Sequence, residues 1–204
     1  MRHGAMTRAG AIAWLLALPI SAAAEEPVAR LPVQLVVTSH LSRATVARAL
    51  DVTSRVYRRM GVEIVWVDDI TDIAQPAGSD QCCLWRRVVI SPTASREFPA
   101  AHGRLAPALG ITPRTADHPG HTVHIFVDSM LSAAFAGRVS VATLLGYVIA
   151  HELGHSLDGG HTTGVMRASW TETDFTELKQ QTLAFQPEQA RLIRAFVGNA
   201  PPGS

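Results

Sequence analysis

Residues His151 to His161 read HELGHSLDGGH, with three histidines, one glutamate and three glycines in eleven positions. A spacing of four puts His151 and His155 one above the other on one face of a helix, so both imidazoles can reach a single metal ion. Glu152 lies about 100° further round the axis at 3.6 residues per turn. It stands beside such an ion, where it can hold a water and accept its proton. Two histidines leave a catalytic zinc site incomplete, because such a site has three protein ligands and a water. A further ligand on the same straight helix would diverge from the first two. Asp158-Gly159-Gly160 supplies a break, since glycine takes positive φ without steric cost and is the usual helix stop. The chain can then turn and bring His161 back. His161 is the candidate third ligand, Asp158 is its rival within the stretch, and Glu172 or Glu177 are acidic candidates downstream. Three unconnected polar histidines are the alternative, but that reading leaves the adjacent glutamate and the matched spacing unexplained.

The stretch needs a rigid support, and the preceding residues provide one. Val141, Leu144, Leu145, Val148, Ile149, Ala150 and Leu153 make the segment from about Val141 to Leu157 apolar nearly all round, which predicts a central buried helix. Charged groups at the end of such a helix are costly unless paired or bound to a metal. Upstream, LPVQLVVT (Leu31 to Thr38) and VEIVWV (Val62 to Val67) read as strands. Between them Val46, Ala49, Leu50, Val56, Tyr57 and Met60 recur at helical spacing, with Ser42 as cap and Gly61 as stop. Strand, helix, strand predicts two parallel neighbours joined by a right-handed crossover. Leu84 to Ile90 and HTVHIFV (His121 to Val127) are further strands, and Arg104 to Ile111 is a weaker extended segment interrupted by Pro107. Thr112 to Gly120 is rich in turn formers and reads as a loop. PEQARLIRAFV is a C-terminal helix with Pro187 in its first turn. His40, His102, His118, His121 and His124 show no convergent spacing and read as ordinary polar residues.

HELGHSLDGGH followed by GVM resembles the metzincin clan of zinc endopeptidases, whose signature is two histidines, the glutamate, a glycine turn, a third ligand and a downstream methionine. The resemblance implies that His151, His155 and His161 hold one catalytic Zn²⁺, that Glu152 is the general base, and that Met166 is the methionine of the turn beneath the metal. GRLAPALGITPR, VHIFVD and LLGYVIAHELGHSL follow one another in the order of matrixin-like catalytic domains. The implied fold is α+β and metzincin-like, a twisted mixed sheet of about five strands with a long active-site helix and a C-terminal helix. It also implies that Arg104 to Ala108 line the cleft and pair with substrate backbone. The likeness is tight from about Leu144 to Met166 and loose over most of the rest. Asp158 stands where the signature has glycine, only Thr162 to Val165 separate His161 from Met166, and no tyrosine follows Met166. A gluzincin-like metallohydrolase with an acidic third ligand, or a non-catalytic exported zinc-binding module, are the other readings.

The 204 residues are 47% hydrophobic, enough for one domain core. Residues 1–24 have a secretory layout: Arg2 and Arg8, an apolar run from Ala9 to Ile20, then Ser21 and three alanines. The expected organisation is a signal peptide (1–24), a single metalloprotease catalytic domain (25–198) and a disordered tail (199–204). The expected location is exported, periplasmic or secreted. Removing residues 1–24 takes Arg2 and Arg8 and no acid from 18 basic and 17 acidic residues, leaving a net charge of −1. With Lys179 the only lysine and the arginines scattered, no nucleic-acid footprint is expected. No second apolar run is long enough to span a membrane. The expected partner is a peptide or protein substrate. Cys82 and Cys83 are neighbours, and their Cα atoms, about 3.8 Å apart, are closer than an ordinary disulfide allows; they read as two thiols on opposite faces of a strand.

Overall fold

The computed structural model describes residues 29–68, 84–93, 108–114 and 120–198. The expectations for the signal peptide (1–24), for Cys82 and Cys83, for Arg104 to Pro107, for His102 and His118 and for the tail (199–204) lie outside these residues. So does most of the loop expected after Thr112.

The chain is a mixed α+β structure. Strands β1 (Ala29–Val37), β2 (Val62–Val67), β3 (Arg86–Ser91), β4 (Gly110–Ile111) and β5 (Thr122–Phe126) form one sheet in the order β2-β1-β3-β5-β4. The first four in that order are parallel, and β4 runs antiparallel to β5 at the edge, with Gly110 opposite Ile125. Alternate strand residues point into the core: Leu31 and Val33, Val62 and Ile64, Val88 and Ile90, Val123 and Ile125 are all buried.

Helix α1 (Arg43–Arg58) starts where Ser42 caps it, its hydroxyl accepting from the Thr45 amide, and Gly61 takes the positive φ of 79° that returns the chain into β2. Of the expected apolar face, Val46, Ala49, Val56, Tyr57 and Met60 are buried and Leu50 is half-buried; Val52 and Thr53 join it. Helix α3 (Val141–Ser156) is likewise capped by Ser140. It runs through the core, with thirteen of its sixteen residues buried. The two helices meet at Gly146, where an added Cβ would lie 2.6 Å from both the Ala49 carbonyl oxygen and Val52 Cβ. Two buried hydroxyls seal the contact: Thr53 donates to the Gly146 carbonyl (2.9 Å) and Tyr57 to the Ala150 carbonyl (3.1 Å). Each satisfied bond avoids the desolvation cost of about 1–3 kcal/mol carried by a lone buried polar group.

Two helices lie outside the sequence expectation. Helix α2 (Val127–Gly137) begins at the residue that was to end the strand, and α4 (Glu172–Gln180) follows the lower segment. Helix α5 (Pro187–Gly198) is the predicted C-terminal helix and packs against β1 through a core that includes Ile193 and Val197. Among the described residues no single helix is long and apolar enough to cross a membrane.

Candidate metal centre

The last six residues of α3 include His151, Glu152 and His155, with Glu152 buried and the two histidines half-buried. The helix ends at Ser156, and the left-handed step falls on Asp158, at φ 67°, instead of on the glycines after it. The expectation of a glycine-made turn is therefore corrected. Aspartate tolerates this conformation better than most residues, and Asp158 is further held by an ion pair with Arg114 at 2.5 Å. Gly159 is needed for a different reason: its amide donates to the Gly154 carbonyl at 2.8 Å, and a Cβ there would lie 2.6 Å from that oxygen. The Gln189 amide of α5 donates to the Gly160 carbonyl at 2.9 Å, fixing the turn just before His161.

This turn brings the third histidine back. His155 Nε2 lies 3.0 Å from His151 Nε2 and 3.1 Å from His161 Nε2, and one ligand nitrogen from each of the three falls within 4.8 Å of the others. The far side of two rings fixes their tautomers. His151 Nδ1 faces the Val165 carbonyl at 2.7 Å and His155 Nδ1 the Gly159 carbonyl at 2.7 Å. A carbonyl only accepts, so each Nδ1 carries the proton and each Nε2 presents a lone pair. Burial, reinforced by the neighbouring imidazoles, lowers His151 to about 4 despite the favourable Val165 carbonyl. Burial also lowers His155, with His161 and the Arg114 charge acting in the same direction against the Gly159 carbonyl. Both rings are neutral near pH 7.

Lone pairs facing each other at this distance repel, and a cation between them removes the repulsion. Zinc bonded to nitrogen at about 2.0–2.1 Å in tetrahedral geometry spaces its ligand nitrogens about 3.3 Å apart. The residues present fit such an ion, and their carbonyl partners are the outer contacts that orient metal-binding histidines.

Glu152 is 7% exposed, and burial raises its carboxyl to about 7 against the lowering effect of the Thr112 hydroxyl. Thr112 Oγ lies 2.8 Å from Glu152 Oε2 and 2.9 Å from the Glu152 main-chain oxygen. Met166, fully buried in a 3₁₀ turn (Gly164–Met166), packs its sulfur and terminal methyl where a Cβ on Gly154 would lie, and the methyl also approaches Gly159. Trp170 stands edge-on to His151 at 5.9 Å and donates to the Val165 carbonyl at 3.3 Å. Tyr147 belongs to the core, donating to the Leu183 carbonyl. Asp158 turns to Arg114 instead of joining the histidines, and Glu172 and Glu177, on α4, are outside the cluster. His40, His121 and His124 are also outside it; His121 Nδ1 lies 3.2 Å from Arg86.

Three contributors had no signal of their own in the sequence reading: Thr112, Gln189 and Arg86. The Arg86 side chain is 1% exposed and donates from Nε to the carbonyl and hydroxyl of Ser156 at 3.1 and 3.2 Å. A guanidinium placed against the end of α3 suits the negative pole of the helix and anchors to the sheet the turn that leads to His161.

No model of a known protein family matches the chain, and no curated protein sequence matches it. Among solved structures, the archaemetzincin of Methanopyrus kandleri aligns with a TM-score of 0.48 at 15% identity, over 84% of this chain and 97% of that one. A Thermotoga maritima protein known from its solution structure aligns with a TM-score of 0.34 at 9% identity, over 85% and 99%. Likenesses this distant carry no function across, and the chemistry is read from the side chains themselves.

Proposed function

We propose that the chain is an exported zinc-dependent peptidase of the metzincin kind, with His151, His155 and His161 holding the ion and Glu152 as general base. The observation that carries the reading is the convergence of three imidazoles at the broken end of a buried helix, two with their proton fixed on the far nitrogen. Zinc held there by His151, His155 and His161 would supply Lewis acidity and would make a water easier to ionise near pH 7. Glu152 takes the proton of the attacking water on a carboxylate oxygen and returns it to the nitrogen of the leaving amine. Met166 supports the ligands from below by filling the space that Gly154 and Gly159 leave. A purely structural zinc closes with four protein ligands, whereas the cluster among the described residues has three, which favours a catalytic centre over a binding module. The secretory layout of residues 1–24 supports export, and the peptide substrate class follows from the metzincin resemblance.

The test is cleavage of a quenched-fluorescent peptide library by the purified protein, with and without chelator. Chelation abolishes cleavage, and Glu152→Gln keeps zinc and loses activity. Full activity in that variant overturns the mechanism. His161→Ala loses the ion; undiminished zinc content in it would hand the third place to another residue.

A further inference from the structure

We propose that Gly110 and Thr112, on the edge segment beside β5, are positioning residues that divide the work of the Glu152 carboxylate: Thr112 holds one oxygen still and Gly110, bare of a side chain, leaves room for the other. This rests on the reading of Glu152 as the base.

The two residues are separated by one position, the period at which an extended chain returns to the same face. Both meet Glu152. Thr112 Oγ lies 2.8 Å from Oε2. At Gly110 an added Cβ would lie 2.8 Å from Glu152 Cγ, 3.1 Å from Oε1 and 2.9 Å from the His124 carbonyl oxygen. The side chain thus lies over a bare Cα, with Oε2 bonded and Oε1 over the glycine. A charged acceptor makes the stronger hydrogen bond, so the Thr112 hydroxyl serves Oε2 in preference to the main-chain oxygen it also approaches. A carboxylate fixed at one oxygen loses rotation about its last torsion, and the remaining oxygen points one way. Among the described residues β4 is an edge strand, paired on one side only. The clamp on the base therefore comes from the rim of the sheet, while its anchor on α3 belongs to the core.

The experiment compares Thr112→Val, Thr112→Ser and Gly110→Ala with the wild type and with Glu152→Gln. Zinc content, kcat and KM on the best-cleaved library peptide, and the ¹³C resonance of the Glu152 carboxyl in the metal-free protein are the readouts. Thr112→Val, similar in shape but unable to donate, is expected to bind zinc at the wild-type ratio and keep KM while kcat falls about 10- to 100-fold, the range for lost outer contacts at metal sites. Its Glu152 carboxyl resonance moves. Thr112→Ser restores the donor, and with it both turnover and the resonance. A role in stability alone would predict unchanged kcat in the folded fraction and no rescue pattern in the resonance. Wild-type turnover in Thr112→Val with an inactive Glu152→Gln overturns the positioning role and leaves the base in place. An active Glu152→Gln overturns the base itself, and the clamp with it. If Thr112→Val does not fold, Gly110→Ala decides: its added methyl displaces the carboxylate and lowers kcat, and a wild-type kcat there overturns the proposal.

Discussion

The His151 imidazole and the Val165 carbonyl are joined at 2.7 Å across 14 residues of chain, and the same carbonyl receives the Trp170 indole N–H at 3.3 Å. One main-chain oxygen therefore sets the tautomer of a ligand and ties it to the aromatic ring standing edge-on beside it. Trp170→Phe keeps a ring and loses the donor, whereas Trp170→Ala loses both. Zinc affinity, measured by competition with a chromophoric chelator, is expected to fall in the order wild type, Phe, Ala, with the alanine variant weakened about 10-fold or more. Equal affinities in all three would show that Trp170 merely packs.

Asp158 occupies the left-handed region at φ 67°. A side chain with a Cβ costs about 1–2 kcal/mol there, and aspartate is among the better-tolerated residues. Asp158→Gly is expected to keep or slightly raise stability even though it loses the exposed Arg114 pair, which is worth little. Asp158→Ala is expected to lower stability by about 1 kcal/mol in urea denaturation. Both variants retain zinc at the wild-type ratio. Loss of zinc in both would make Asp158 a ligand after all.

Gly154 and Met166 occupy one space. A Cβ on Gly154 would lie 2.5 Å from the Met166 sulfur. Gly154→Ala should cost about 1–3 kcal/mol by overpacking, and Met166→Ala about 2–5 kcal/mol through the cavity it leaves. The double variant should cost less than the sum, because the new methyl enters the vacated space. Additive losses, measured by denaturant midpoints, would separate the two residues.

Asp174 completes the capping box of α4, whose N-cap is Thr171, by accepting from both the Thr171 amide and hydroxyl at 2.7 Å, with Arg167 Nε 2.9 Å away. Burial raises its carboxyl, but the Thr171 bonds and the Arg167 charge together outweigh that, and the net shift is downward. A group with a lowered folded value stabilises the fold above its unfolded value, about 3.9, and loses that contribution as pH falls through the folded value. The stability gap between the wild type and Asp174→Asn, both metal-free, is expected to be full at pH 7 and to close as the pH falls below the unfolded value and through the lowered folded one. A gap independent of pH would rule out the ionised cap.

The elements and residues legible from sequence were those whose signals are local. Helix α3 shows its apolar run and its Ser140 cap, and the histidines announce themselves by spacing. Helix α2 hides because it starts inside a strand pattern: its cap position is Phe126, which offers no side-chain bond, and Val127 reads equally well as a strand residue. Helix α4 does carry a local signal, since Thr171 and Asp174 form a capping pair three residues apart. Thr112 and Arg86 are different. Their bonds to α3 span 40 and 70 residues, and no local pattern carries a pairing that only the closed fold creates.

The three imidazoles lie within eleven residues, while the bonds locking α3 to α1, from Thr53 to Gly146 and from Tyr57 to Ala150, each span 93. A denatured chain keeps all three donors within reach of one ion and can chelate it before any tertiary structure exists. Affinity for the denatured chain subtracts from the stabilisation a ligand confers on the native one. The thermal gain from zinc is therefore smaller than the native affinity alone implies. The rate at which the protein folds is set instead by the search that brings distant helices and parallel strands together.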